Sequence, residues 1–205
     1  ITYLNLKGLG ELSQLECSDC HMSSLDVSSS PKLRYLNCAY NELTVLDLSR
    51  NTELRDLYCN QNKISELDLT HNVKLERTNV ERNNLWRLDV SGLQLVSLDC
   101  NYNYLIATLD LEASRDTLQK LYCNANRISK LDLSNFTRLE NLWCGENGLE
   151  ELNLSGCTAL IGVTCWIGEL STLDLSDAVQ LKGVDCHQNK LTTLILPQST
   201  ELTSI

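Results

Sequence analysis

Apolar residues recur along this chain in one frame, L-x-x-L-x-C-x-x-N-x-L-x-x-L-D-L-S. Clean copies are LRYLNCAYNELTVLDLS at residues 33–49 and LQKLYCNANRISKLDLS at residues 118–134. The cysteine position falls at Cys17, Cys38, Cys59, Val80, Cys100, Cys123, Cys144, Cys165 and Cys186, in steps of 21, 21, 21, 20, 23, 21, 21 and 21 residues. Alternation within the frame has period two. Leu36 and Cys38 are expected to face inward and Asn37 outward, and likewise Leu46 and Leu48 against Asp47. Too few residues separate the frames for a helix and its connections. Each turn is therefore expected to be two short strands joined by tight corners. The whole chain, 1–205, reads as a single mostly β solenoid of nine such turns. At the ~4.8 Å spacing of parallel strands it would be a rod on the order of 40 Å long.

The unit resembles the leucine-rich repeat, L-x-x-L-x-L-x-x-N/C-x-L, with Cys in place of the third Leu. The 21-residue period, the cysteine column and the LDLS second half resemble the internalin J-like class of bacterial surface proteins. The resemblance covers the whole chain. It implies a curved right-handed coil with a parallel β-sheet on the concave face and short second strands on the other. It also implies an extracellular place at the bacterial cell surface and a role in adhesion or recognition. It does not identify a ligand.

The frame settles how the ten cysteines are read. Cys17-Ser-Asp-Cys20-His21 has the C-x-x-C-H form of a haem attachment site. Cys17, however, is the first rung of the inward column, and Cys20 stands in the column of Asn41, Asn62, Asn83, Asn103, Asn126, Asn147 and Asn189, which Gly168 also interrupts. No cofactor is expected. Column thiols in parallel register have Cβ atoms ~5 Å apart, too far for disulfides, so they are expected to be small buried hydrophobes. Cys157 lies outside the column, where Asn51 and Asn72 sit in other turns, and is expected to be the most exposed thiol. The Asn column is expected to bond backbone groups at a corner.

Leucine must fill the core, because the chain has one Phe and one Met. The net charge of −10 disfavours nucleic acid and anionic membranes as partners, and no segment is long enough for membrane insertion. Ile1 and Ile205 fall inside units without polar caps. The chain is therefore expected to be part of a longer protein, or to associate end to end. The frame breaks at Thr78 and Val80, and again in the turn that runs through LIATLDLEASRDTL, where a kink or bulge is expected.

Candidate binding residues stand on either side of the cysteine column. One outward column reads Glu16, Asn37, Tyr58, Asn79, Asp99, Tyr122, Trp143, Thr164, Asp185, and the other Ser18, Ala39, Asn60, Glu81, Asn101, Asn124, Gly145, Trp166, His187. Tyr122, Trp143, Trp166 and His187 gather on four successive strands, with Tyr58 and Asp185 as further candidates. Exposed aromatics are typical of binding hot spots and sugar-stacking platforms, although neighbouring rings also stack simply as cross-strand pairs. A host or bacterial surface protein or a glycan is the expected partner. The alternatives are a spacer in a surface protein or the substrate-recognition domain of an intracellular effector. Asp185 and His187 form an acid–imidazole pair, but alternation aims Cys186 away from it, and no phosphate loop or H-E-x-x-H motif is present; an enzyme is not expected. One acidic residue per turn recurs on the other face, at Asp26, Asp47, Asp68, Asp89, Asp110, Asp132 and Asp174, with Asn153 in the same column. Hydrogen bonding to the following Ser and turn amides is expected there rather than a calcium site.

Overall fold

The computed structural model describes residues 2–106, 109–199 and 201–205. Ile1 lies outside them, as do Ala107 and Thr108 of the long central turn. The chain forms three-residue strands: β1 Gln14–Glu16, β2 Tyr35–Asn37, β3 Asp56–Tyr58, β4 Arg77–Asn79, β5 Ser97–Asp99, β6 Lys120–Tyr122, β7 Lys130–Asp132, β8 Asn141–Trp143, β9 Glu151–Asn153, β10 Gly162–Thr164, β11 Thr172–Asp174, β12 Gly183–Asp185 and β13 Thr193–Ile195. Nine of them make one parallel sheet in the order β1-β2-β3-β4-β5-β6-β8-β10-β12. Its register carries each central apolar residue onto the next, as in Leu121↔Leu142 and Leu142↔Val163. This is the nine-turn solenoid with its 21-residue step. The short and long turns leave the sheet register intact, since Thr78↔Leu98 and Leu98↔Leu121 still pair. Of the two extra residues of the long turn, one falls between Leu105 and Leu109, a stretch that includes the undescribed Ala107 and Thr108, and the other between Asp110 and Cys123, where a 3-10 turn stands at Glu112–Ser114 beyond the sheet. Thr78, in the place of a core Leu, is buried with its hydroxyl unpartnered among the described residues.

Second strands are fewer than the repeat predicts. Among the described residues they form only in the C-terminal half, as two separate pairs, β7 with β9 and β11 with β13. In the N-terminal turns the LDLS segments bury their leucines, Leu46 and Leu48 for example, without pairing to one another. Both ladders oppose an Asp to a neutral residue, Asp132↔Asn153 and Asp174↔Ile195, whereas Asp47, Asp68 and Asp89 would face each other, and directly opposed like charges destabilise a strand pair. Charge is not the whole reason, since β9 and β11, with Asn153 and Asp174, are not paired either. The nine-stranded sheet is the continuous face of the coil, the side expected to be concave, and the second face carries only the two short ladders among the described residues.

The corners hold the turns together. Asn41 Nδ2 donates to the carbonyls of Cys17 (2.9 Å) and Cys38 (3.0 Å), and its Oδ1 accepts from the amides of Cys20 and Met22 in the preceding turn. Asn62, Asn83, Asn103, Asn126, Asn147 and Asn189 repeat this stitch. Each satisfies backbone groups that a tight corner would otherwise strand. Gly168 has no side chain to do so, and a Cβ there would come 2.6 Å from Asn189 Oδ1.

Ten free thiols line this core. Burial pushes Cys59 and Cys123 up to about 12, which makes thiolate chemistry unfavourable. Cys157 departs from expectation: it is fully buried, with its thiol 3.0 Å from the Leu133 carbonyl. It occupies the slot that Asn51 and Asn72, themselves fully buried, fill in other turns by donating to carbonyls one turn back. The second corner is thus an interior position, and the partly exposed thiols are Cys20 and Cys186.

Candidate functional site

The concave face is built from the outer residues of each three-residue strand, because the middle one is buried. The column from Glu16 to Asp185 lies there as expected. The other expected column is mixed: Ala39, Asn60, Asn101 and Gly145 are buried at the corner, Ser18, Glu81, Asn124 and Trp166 are half-buried, and His187 is exposed. A further outward column is the first residue of each strand: Tyr35, Asp56, Arg77, Lys120, Asn141, Gly162 and Gly183 among others. The strand centres on the Leu two residues before the Cys, so alternation counted from the Leu would have found it.

Along the N-terminal half these side chains satisfy one another. The Glu16 carboxylate accepts from Ser18 Oγ (2.8 Å), Asn37 Nδ2 (3.0 Å) and the Tyr35 hydroxyl (3.2 Å). Burial pushes this carboxyl up, but the three donors outweigh it and hold it below its ordinary range. Tyr58 is one of the expected site residues. It packs on Tyr35 with ring centres 5.7 Å apart, far along the sheet from the others. Arg77 donates to Asp56 at 3.1 Å, and Arg55 bonds Glu76.

Along the C-terminal half several polar groups are uncommitted, although Asp185 meets His187 and Asn124 accepts from the Gly145 amide. Tyr122 and Trp143 are register partners with ring centres 4.5 Å apart and planes 40° apart. Trp166 stacks flat on His187, centres 5.6 Å apart and planes 2° apart. His187 Nδ1 lies 2.5 Å from Asp185 Oδ1. Five of the six expected residues thus stand on successive strands of one face as two contacting groups, Tyr122 with Trp143, and Trp166 with His187 and Asp185. Gly145 makes room for the Trp166 indole, which a Cβ would meet at 2.9 Å. Gly162 and Gly183 are register partners and leave backbone without side chains beside Asn141, with Ser204 bridging Gly183 on its other side. Among the described residues, the side chains of Lys120, Asn141 and Thr164 and the Tyr122 hydroxyl make no hydrogen bond. Sequence reasoning missed Asn141 and the two glycines, although glycines where other turns carry Tyr, Asp, Arg and Lys are themselves a signal.

Asp99 marks the boundary between the halves, in register with Asn79 and Tyr122. Burial raises its carboxyl to about 6, the nearby Glu81 charge adds to the rise, and a hydrogen bond from the Asn101 amide opposes it.

On the opposite face the acidic column is hydrogen-bonded. The Oδ1 atoms of Asp26, Asp47, Asp68, Asp89, Asp132 and Asp174 accept from the amide two residues on, at 2.9–3.2 Å. For Asp68 the Thr70 hydroxyl and then its amide hold the carboxyl below its ordinary range. Among the described residues no three His, Cys, Asp or Glu side chains converge as metal ligands, and no helix is long and apolar enough to cross a membrane.

Repeat, sheet, asparagine stitch and thiol column together define a leucine-rich-repeat solenoid with a cysteine ladder. Among solved structures the chain is similar to the functional domain of InlJ from Listeria monocytogenes, which includes a cysteine ladder. The two are 26% identical, with 94% of this chain and 52% of that one covered, at a TM-score of 0.74. It is similar in fold to a leucine-rich-repeat protein of Leptospira interrogans (16% identity, 96% and 72% covered, TM-score 0.61) and to YopM from Yersinia enterocolitica (21%, 95% and 51%, 0.61). The chain thus spans about half the length of the InlJ domain. No family model and no curated protein matches it.

Proposed function

We propose that this chain is a non-enzymatic recognition module, carried on a bacterial surface or secreted protein, that binds a protein or glycan on the C-terminal half of its concave face. The observation that carries this reading is the set of uncommitted polar groups and bare glycine backbone around two aromatic pairs. A side chain already bonded to its neighbours has little to offer a ligand, whereas Lys120, Asn141, Thr164 and the Tyr122 hydroxyl keep their bonding capacity. Trp143, 44% exposed, supplies a flat apolar surface between them, the usual make-up of a hot spot. The non-enzymatic reading is supported by Cys186. Its thiol packs against the core, and burial raises it further from thiolate. The surface location follows the likeness to the InlJ domain.

The test is Trp143→Ala and Trp166→Ala, with Tyr58→Ala as the control from the other half. Each variant is measured for melting and for binding to a ligand selected from protein-display and glycan-array screens. Both tryptophan variants should lose at least 2 kcal/mol of binding, roughly thirtyfold, with stability changed by about 1 kcal/mol or less. Tyr58→Ala should bind normally. Full affinity in both tryptophan variants, or lost binding in the control alone, would place the ligand elsewhere.

A further inference from the structure

The third tryptophan stands apart from this site. Trp86 is on the face opposite the sheet, 49% exposed, in a column that holds Thr44, Ser65 and Ser129 in other turns. Leu85 and Leu88 fill the core on either side of it, so the indole is surplus to packing. It walls a groove of about 350 Å³ between two turns that are not joined by a second-face ladder. Leu67, Glu66 and Asp68 line it from one turn, and Trp86, Arg87 and Asp89 from the next.

The charges in this groove are unequal: three carboxylates face one guanidinium. Arg87 is already turned to Asp89, with Nη2 3.4 Å from Oδ2. Glu66 has no partner among the described residues. Asp68 and Asp89 each spend one oxygen on the turn amide behind them, and that bond fixes the carboxylate in place. An apolar floor, an exposed indole and surplus negative charge are what a long cationic side chain needs. A guanidinium stacks its plane on an indole and forks to a carboxylate; an ammonium does only the weaker half of this. The volume suits one such side chain with its flanking backbone.

We propose that the Trp86 groove binds an arginine side chain of a partner protein, as a second contact independent of the concave site. The probe is the peptide acetyl-Gly-Gly-Arg-Gly-Gly-amide, with its citrulline counterpart as a neutral isostere. Binding is followed by NMR at the three indole N–H groups, with Trp86→Phe used for assignment. The arginine peptide should shift the Trp86 resonance saturably and leave those of Trp143 and Trp166 in place. Glu66→Gln with Asp68→Asn should weaken it at least tenfold. That double variant should fold normally, because Asn153 makes the same turn bond to the Ser155 amide at 3.1 Å. An unmoved Trp86 signal, equal binding of the citrulline peptide, or an unchanged affinity in the double variant would each overturn the proposal.

Discussion

The two halves of this solenoid share one interior and oppose each other at the surface. In the N-terminal turns the concave side chains are bonded among themselves, from Glu16 and Tyr35 to Arg77 and Asp56, while the second face is unladdered and grooved. In the C-terminal turns the second face carries two backbone ladders, β7 with β9 and β11 with β13, while the concave face offers rings, free polar groups and glycines. The same frame therefore supports two opposite assignments of accessible surface. The repeat dictates what is inside; the few outward positions decide which face remains free to meet a partner.

The shared interior can be tested by cutting the same stitch in each half. Asn62→Ala and Asn126→Ala each leave a buried amide, that of Leu43 or Leu105, without its acceptor and remove one of the two asparagine donors from each of two buried carbonyls. An unpaired buried polar group costs about 1–3 kcal/mol. Chemical denaturation should show losses of about 2–3 kcal/mol in both variants, equal within error. Clearly unequal losses would mean that the halves differ in frame and not only in surface.

The boundary between them should respond to pH. A carboxyl raised in the folded state contributes stability that is complete below its unfolded pKa of about 4 and lost as pH climbs through about 6. Asp99→Asn should therefore stabilise the protein at pH 7 by about 1–2 kcal/mol and change it little at pH 4. The bond from the Asn101 amide has an acceptor in both forms. The Asp column runs the other way. Its lowered carboxyls contribute stability above the ordinary carboxylate range that is lost as pH falls through and below it. A gain for Asp99→Asn that is the same at pH 4 and pH 7 would show that the carboxyl is not held up by burial.

The smallest expected difference separates two cations in one column. Arg77→Ala gives up exposed contacts with Asp56 and Glu76 and should cost about 0.5–1 kcal/mol. Lys120→Ala gives up no bond and should melt within about 0.5 kcal/mol of the parent. If Lys120 proved the costlier position, the C-terminal half would be less open than its geometry indicates.

Much of this was legible in the repeat. A 21-residue period makes position in the frame equivalent to position in space, so the cysteine ladder, the Asn corner and the aromatic cluster could be located without coordinates. The same logic misled at Cys157, because a polar neighbour in the column suggested solvent when Asn51 and Asn72 are in fact interior hydrogen-bonding residues. It also overcounted second strands, which the described residues form in only two separate pairs. The pairing of Arg77 with Asp56, and the absence of a partner for Asn141, became visible only once the strand register was fixed.

The missing side chain at Gly168 has a mechanical consequence. Every neighbouring seam is stitched by an asparagine, but the seam between the turn of Trp143 and the turn of Trp166 lacks that stitch and keeps its backbone bonds, among them Glu169 N to Leu149 O, and the bond from the Gly156 amide to Asp177 Oδ2 at the far corner. In a linear array, unfolding starts where the coupling between units is weakest. Pulled from its ends, the rod should part first at this seam, and the Leu149 amide, which has no Asn acceptor, should exchange sooner than its counterparts Leu43, Ile64 and Ile128. The seam runs between the two aromatic pairs. A ligand lying across both would act as a splint, and binding would be felt as resistance to force.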